Sequence, residues 1–293
     1  MTMAFELHGL TKRFGGTTAL DGVTLEIPAG AVVGLVGRNG SGKTTLLRHV
    51  VGLYVPTEGR CATLGTPADR LGADEFRRIG VVHQRGGCLY WMTVEQHLRY
   101  VASFYPSWDR DLENRLVDEL EVDRTAKTGA LSPGNLQKVA LLTAVCHHPE
   151  LLVLDEPVSA MDPIVRERTL AFLLERLQHD RNTIIVSSHV LRDIEQIVSH
   201  VVCLERGRVI VDAPLDQLQE QYAEWTVTSR SAALPAAFPE PFVLTSRGEG
   251  RRAHLIVRDD AETLAAFRTR YEADVETRPL NLERMFPFLL REP

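Results

Sequence analysis

Gly37-Arg38-Asn39-Gly40-Ser41-Gly42-Lys43-Thr44 fits the pattern G-x-x-x-x-G-K-[ST]. Such glycines let the backbone curl until successive N–H groups point at one anion, and a following helix adds its positive N-terminus. The anion this suits is a polyphosphate. Lys43 then reaches the β- and γ-phosphates, and the Thr44 hydroxyl coordinates Mg²⁺. The candidate phosphate-binding set runs from Gly37 through Thr45. A second chemical signal is Asp155-Glu156, two adjacent carboxylates ending the apolar run Leu151-Leu152-Val153-Leu154. Ligands of α/β sheets collect at the C-terminal ends of strands, and successive strand side chains point to opposite sides. The pair can therefore divide its labour. Asp155 holds Mg²⁺ through water, and Glu156 orients or deprotonates the attacking water. An acidic turn after a strand is common by itself; beside the glycine loop it reads as part of a phosphoryl-transfer site.

Positioning these groups requires a sheet. Ala31 to Val36 is a short apolar run that suits a strand buried on both faces, and Thr44 to Val51 suits the helix after the loop. Phe5 to Leu10 and Val23 to Ile27 read as earlier strands, with a turn at Pro28-Ala29-Gly30. Thr183 to Ser187 reads as another buried strand, and an amphipathic helix pattern follows it as it follows the acidic strand. From Thr93 to Leu120 the pattern is helical: Val94, Leu98, Val101 and Tyr105 recur on one face, as do Leu112, Leu116 and Leu120. Beyond residue 213 the texture changes to short β-like runs at 225–228, 242–246 and 254–257, a helical stretch at 262–271 and a strand near Val275. Pro235, Pro239 and Pro241 fall between the first two of these runs, and the whole suggests a small α+β domain.

Composition removes several alternatives. The chain of 293 residues has 33 Lys and Arg against 39 Asp and Glu, a net charge of −6, which does not favour wrapping a nucleic-acid backbone. With 44% hydrophobic residues it can bury a core. Cys61, Cys88, Cys146 and Cys203 form no C-x-x-C pair and read as buried thiols of a reducing compartment. The opening MTMAFELHGLTKRF has neither the basic start nor the apolar stretch of a signal peptide, and no run of ~18 apolar residues predicts a membrane span.

Over residues 4 to 213 the sequence closely resembles the nucleotide-binding domain of the ABC family, because five further elements stand in that family's order. Phe14 matches the aromatic that stacks on adenine, the alternative being a strand-face core aromatic. Gln84 matches the glutamine that links the catalytic site to a helical subdomain and reaches the metal. Leu131-Ser132-Pro133-Gly134-Asn135 stands where the signature LSGGQ belongs. Ser159-Ala160-Met161-Asp162 matches the loop whose aspartate crosses the dimer interface, and His189 matches the switch histidine that contacts the γ-phosphate. The resemblance implies an α/β fold: a P-loop NTPase core of ABC type in residues 1–213, with an antiparallel β subdomain and a helical subdomain at about 88–136. A small C-terminal α+β domain over 214–293 completes the expectation.

The signature departs from the family. Ser132 and Gly134 are kept, but Pro133 replaces a glycine and Asn135 a glutamine. Ser132 can cap a helix and proline is tolerated at its first position, so one N–H donor to phosphate is lost and the helix start is retained. Arg85 to Met92 lies where the family receives a coupling helix of a membrane subunit; Tyr90, Trp91 and Met92 suit that contact or pack the helical subdomain itself. The ending Asn281-Leu282-Glu283-Arg284-Met285-Phe286 is similar to the tail of ATPases from two-component export systems, and equally to a packed terminal helix.

The resemblance thus implies an ATP hydrolase using ATP and Mg²⁺, with Lys43, Glu156 and His189 as catalytic residues and Thr44, Gln84 and Asp155 at the metal. It implies a homodimer or heterodimer closing head to tail on two ATP, and separate transmembrane permease subunits as partners. The expected place is the cytoplasmic face of a membrane, with export as the direction. The rivals are a soluble ABC ATPase acting on nucleic acid or ribosomes, disfavoured by the acidic balance, and an ATP sensor, disfavoured by intact Lys43, Asp155, Glu156 and His189.

Overall fold

The computed structural model describes residues 2–84, 87–180, 182–258 and 261–290. The chain divides into two compact units, Met1–Asp212 and Ala213–Pro293.

The first unit holds two sheets. Strands β1 (Met3–Phe14), β2 (Thr17–Pro28), β4 (Glu58–Thr63) and β5 (Thr66–Pro67) form an antiparallel sheet in the order β2-β1-β4-β5. The second sheet has six strands in the order β10-β9-β3-β8-β7-β6. These are β3 (Val32–Gly37), β6 (Ile79–Val82), β7 (Leu151–Asp155), β8 (Thr183–Ser187), β9 (His200–Glu205) and β10 (Arg208–Pro214). β3 runs parallel to both β8 and β9, β7 parallel to β8 and β6. Every residue of β7 and β8 is buried, which is why both read as continuous apolar runs. Leu46, Leu47 and Val50 of helix α1 (Lys43–Val50) join Phe5, Leu7 and Leu25 of the antiparallel sheet and Val153, Ile185 and Leu204 of the six-stranded sheet in one core.

Helix α2 (Ala73–Phe76) leads into β6. Helices α3 (Val94–Ala102), α4 (Arg110–Glu119) and α5 (Pro133–Val145) follow between β6 and β7, then α6 (Pro163–Asp180) after β7 and the short α7 (Leu191–Glu195) after β8. The periodicity through Tyr105 is not one helix. α3 stops at Ala102 because Pro106 disfavours helical geometry in the residue before it, and Asp109 caps a new helix by accepting the Leu112 N–H at 2.8 Å. Tyr105 lies in the link and stacks on His147, ring centroids 4.0 Å apart. Behind it the Glu113 carboxylate, 2% exposed, accepts from Trp108 Nε1, Arg110 and Arg124, which ties the helical segment together.

In the second unit helix α8 (Leu215–Gln221) leads into a sheet of order β12-β13-β11-β14: β11 (Tyr222–Ser229), β12 (Val243–Glu249), β13 (Arg252–Arg258) and β14 (Ala273–Pro279), all paired antiparallel. Helix α9 (Ala261–Arg270) brings Phe267 edge-on to the fully buried Trp225, 5.1 Å between centroids. In α10 (Leu282–Leu289) the tail residues Leu282 and Met285 are buried and Asn281 caps the helix. Among the described residues no helix is long and apolar enough to cross a membrane, and the four cysteines are buried thiols.

Candidate nucleotide-binding site

β3 delivers its last residue, Gly37, to a place no side chain could occupy. A Cβ there would stand 2.4 Å from the Leu204 carbonyl oxygen and 2.5 Å from Ser41 Oγ. Gly42 sits at φ +111 as the N-cap of α1, where a Cβ would meet the Ala19 carbonyl at 2.6 Å. Having no side chain, it leaves the N–H groups of the first helical turn uncapped, and these have no intrahelical acceptor. Directly after Gly42, Lys43 folds its Nζ back to donate to the carbonyls of Gly37 at 2.8 Å and Arg38 at 3.2 Å. Burial lowers the pKa of this ammonium, and the Glu156 and Asp155 charges work against that. The Ser41 hydroxyl oxygen is buried without a partner.

Opposite the loop, Asp155 ends β7 and accepts from the Ser187 hydroxyl at 2.7 Å. Glu156 turns the chain at φ +53, a left-handed conformation that costs a non-glycine residue about 1–2 kcal/mol. Its backbone is held on both sides. Its N–H donates to Ser187 Oγ at 3.0 Å, and its carbonyl accepts from Gln137 Nε2 and Ser159 Oγ, each at 3.0 Å. His189 Nδ1 lies 2.5 Å from Glu156 Oε2.

Asn39, Gly40, Gly42, Lys43, Thr44, Thr45, Gln84, Asp155 and Glu156 line one cleft of about 290 Å³. The Thr44 hydroxyl, the Gln84 amide and the Asp155 carboxylate bring hard oxygen donors to the same cleft, which is the donor chemistry Mg²⁺ takes. Other expected residues lie elsewhere. Phe14 is 44% exposed and stands edge-on to Tyr54 with Lys12 Nζ 5.1 Å from its ring centre; it is not a lining residue of the cleft. Asp162 is exposed and accepts from the N–H groups of Ile164 and Val165 at 3.1 Å, and these bonds hold its carboxyl below the usual range. Ser132 caps α5 by accepting the Asn135 N–H at 3.3 Å, with Pro133 in the first turn. Gly134 is buried, and a Cβ on it would come within 2.4 Å of the Ala160 carbonyl oxygen.

Arg85 and Gly86 lie outside the described residues. Of the aromatics after them, Tyr90 is 62% and Trp91 71% exposed, and the Tyr90 carbonyl accepts the Gly129 N–H at 3.2 Å. Sequence reasoning missed Gln137, Ser159 and Ser187, which position Glu156 and Asp155. A serine ending an otherwise apolar buried strand was the one available signal, and it pointed to Ser187.

The family model described as ABC transporter matches residues 20–159. A bacitracin transport ATP-binding protein of Bacillus licheniformis is 30% identical over 241 residues, covering 80% of this chain and 78% of the relative. The chain belongs to the ABC transporter family of ATP-binding proteins. Within the family, the Nod factor export ATP-binding protein I of Rhizobium sp. (strain N33) is 28% identical over 295 residues, 97% of this chain and 96% of the relative. A solved ATP-binding subunit of an ABC transporter superposes with a TM-score of 0.67 at 26% identity, over 74% of this chain and 92% of that one. A dimeric ATP-binding cassette in a post-hydrolysis state with ADP and Pi gives 0.64 at 25% identity, over 72% and 98%. As an ABC protein, the chain is an ATP hydrolase.

Proposed function

We propose that this ABC ATPase is the engine of a membrane exporter, closing head to tail with a second ATPase subunit on two ATP and moving separate permease subunits from the cytoplasmic face. The observation that carries the hydrolytic reading is the convergence of Lys43, Asp155 and Glu156 on one cleft at the end of β3 and β7, with His189 on the Glu156 carboxylate. Thr44, Asp155 and Gln84 would hold Mg²⁺, which neutralises phosphate charge as a Lewis acid. Lys43 binds the phosphates by exchanging the carbonyls of Gly37 and Arg38 for phosphate oxygens. Glu156 takes the proton of the attacking water or stabilises its charge, and His189 holds that carboxylate in place. Ser132, Gly134 and Asp162 face the second subunit in this reading, and Phe14 takes the adenine.

Export is supported by the reach of the similarity. The Nod factor export protein is matched over 97% of this chain, the C-terminal unit included, whereas an aliphatic sulfonates import ATP-binding protein of Burkholderia ambifaria is matched over 73%. The net charge of −6 gives no support to a nucleic-acid partner. Glu156→Gln keeps the shape of the side chain and loses its basicity. The expected result is a fall in ATP turnover of about 10²–10⁴-fold with ATP affinity intact and an ATP-dependent dimer on size-exclusion chromatography. Normal turnover by a variant that stays monomeric with ATP removes Glu156 from the mechanism.

A further inference from the structure

Gln137 lies on α5, one turn after Gly134, and is 2% exposed. Its amide is spent entirely on the segment that follows β7. Nε2 donates to the Glu156 carbonyl at 3.0 Å and to Ser159 Oγ at 3.2 Å, while Oε1 accepts the Ala160 N–H at 3.0 Å. Ser159 Oγ closes the triangle by donating to the same Glu156 carbonyl at 3.0 Å. Gly134, on the same face of the helix, meets the Ala160 carbonyl oxygen so closely that a Cβ would stand 2.4 Å from it. The first turns of α5 therefore grip Ala160 through both its N–H and its C=O, and reach past it to the backbone of Glu156.

Only a side chain that offers a donor and an acceptor at this length can make both contacts. A helix held this way cannot shift without dragging the Glu156 carbonyl, and Glu156 is already turned into a left-handed conformation at φ +53 that needs outside support. We infer that Gln137 is a positioning residue for hydrolysis, transmitting the position of Ser132 and Gly134 to Glu156. This rests on the head-to-tail reading, in which Ser132 and Gly134 sit over the nucleotide of the other subunit while Glu156 acts on its own. The two ATP sites then become coupled: closure around one nucleotide seats the carboxylate of the other.

The test uses the full chain with Gln137→Met, which keeps the volume, and Ser159→Ala, which removes one corner of the triangle and two of its bonds at a half-buried position. Steady-state ATPase rates across ATP concentration are measured with Mg²⁺, beside the affinity for a fluorescent ATP analogue. The expected result for Gln137→Met is a fall in kcat of about tenfold with affinity within about twofold of wild type, a loss typical of residues that orient a reacting group. Ser159→Ala should fall several-fold in the same pattern, and in both the Hill coefficient for ATP should drop towards that of independent sites. A folded Gln137→Met with wild-type kcat and Hill coefficient overturns the inference. So does a loss of kcat and affinity in parallel, which is what a merely structural residue would give. Should Gln137→Met fail to fold, Ser159→Ala decides by the same criteria. Wild-type turnover is the control for the underlying reading: a wild type that binds ATP and Mg²⁺ without hydrolysis overturns that reading and the inference with it, whereas active wild type beside unchanged variants overturns the inference alone.

Discussion

In the proposed function two helix starts serve the phosphates, and they are built in opposite ways. α1 begins at Gly42, which has no side chain to cap with, so its first N–H groups stay open to an outside acceptor. α5 begins at Ser132, whose hydroxyl already accepts from Asn135, and its next residue, Pro133, has no N–H to give. The first start is complete as a phosphate cradle within one chain. The second is self-satisfied, presents mainly the Ser132 hydroxyl proton and the Gly134 backbone, and is bonded through Gln137 to the segment that carries Glu156.

The widest gap between the two ends should come from Lys43→Ala. A charge-assisted contact worth roughly 1.5–3 kcal/mol disappears, so ATP affinity should fall by up to about 100-fold. Equilibrium binding of a fluorescent analogue measures this, and unchanged affinity would break the assignment of α1 as the binding end.

Acid should strike the α5 side. His147 follows α5, is 5% exposed and stacks on Tyr105, and the backbone of Ile79 and Thr143 only partly offsets its burial. Burial pushes its pKa down to about 4. An unfolded imidazole titrates near 6.5, so between these values the unfolded chain binds the extra proton. Stability is therefore full above about 6.5 and is lost as pH falls towards 4, by about 3 kcal/mol. Urea unfolding at pH 7 and pH 4 with wild type and His147→Phe, which keeps the stacking, measures the share of this residue. An equal acid loss in both would refute it. On the α1 side burial also lowers His49, but its Nδ1 has the Thr45 carbonyl at 2.7 Å.

Gly134→Ala and Gly40→Ala contrast the ends directly. Added to Gly134, a methyl group meets the Ala160 carbonyl, an overpacking cost of about 1–3 kcal/mol, and turnover should fall as the contact to the following loop is pushed apart. Gly40 stands at φ +80 with no atom within 4 Å of a Cβ, so its cost is confined to backbone strain of about 1–2 kcal/mol. Thermal unfolding and ATPase rates of both variants check this, and a stable, fully active Gly134→Ala would show that the close approach is dispensable.

The smallest effect belongs to Pro133→Gly. Restoring one N–H donor should leave turnover unchanged or raise it a few-fold, at a stability loss of about 0.5–1 kcal/mol from the added backbone freedom. A folded variant hydrolysing ten times more slowly would mean that proline is a working part of the second start.

What could be read from the residues alone follows from how local each feature is. The loop from Gly37 to Thr44 was legible because its glycines and lysine all fall within eight consecutive residues. The end of β7 was legible because an apolar run must be buried, and acids buried with its end need a partner or a bound cation. Gln137, Ser159 and Ser187 were not legible in the same way. Gln137 reaches Glu156 across 19 residues and Ser187 reaches Asp155 across 32, distances closed only when the helical segment and the sheet have formed. From the sequence Gly134 is expected to face phosphate, while its contact with Ala160 depends on how α5 lies against the next loop. Tyr105 misled because its spacing fits a helix that Pro106 does not allow to continue.

The placement of β3 between β8 and β9 also orders events during synthesis. The glycine loop is braced from far downstream: the Leu204 backbone walls in Gly37, and the Gly207 N–H donates to the Ser41 carbonyl at 2.9 Å. These braces leave the ribosome about 160 residues after Thr44. At roughly 5–20 residues per second that is a delay of about 10–30 s. A nascent chain holds every residue of the loop early and its frame late, so the native bracing of the loop waits for β9 and the turn after it.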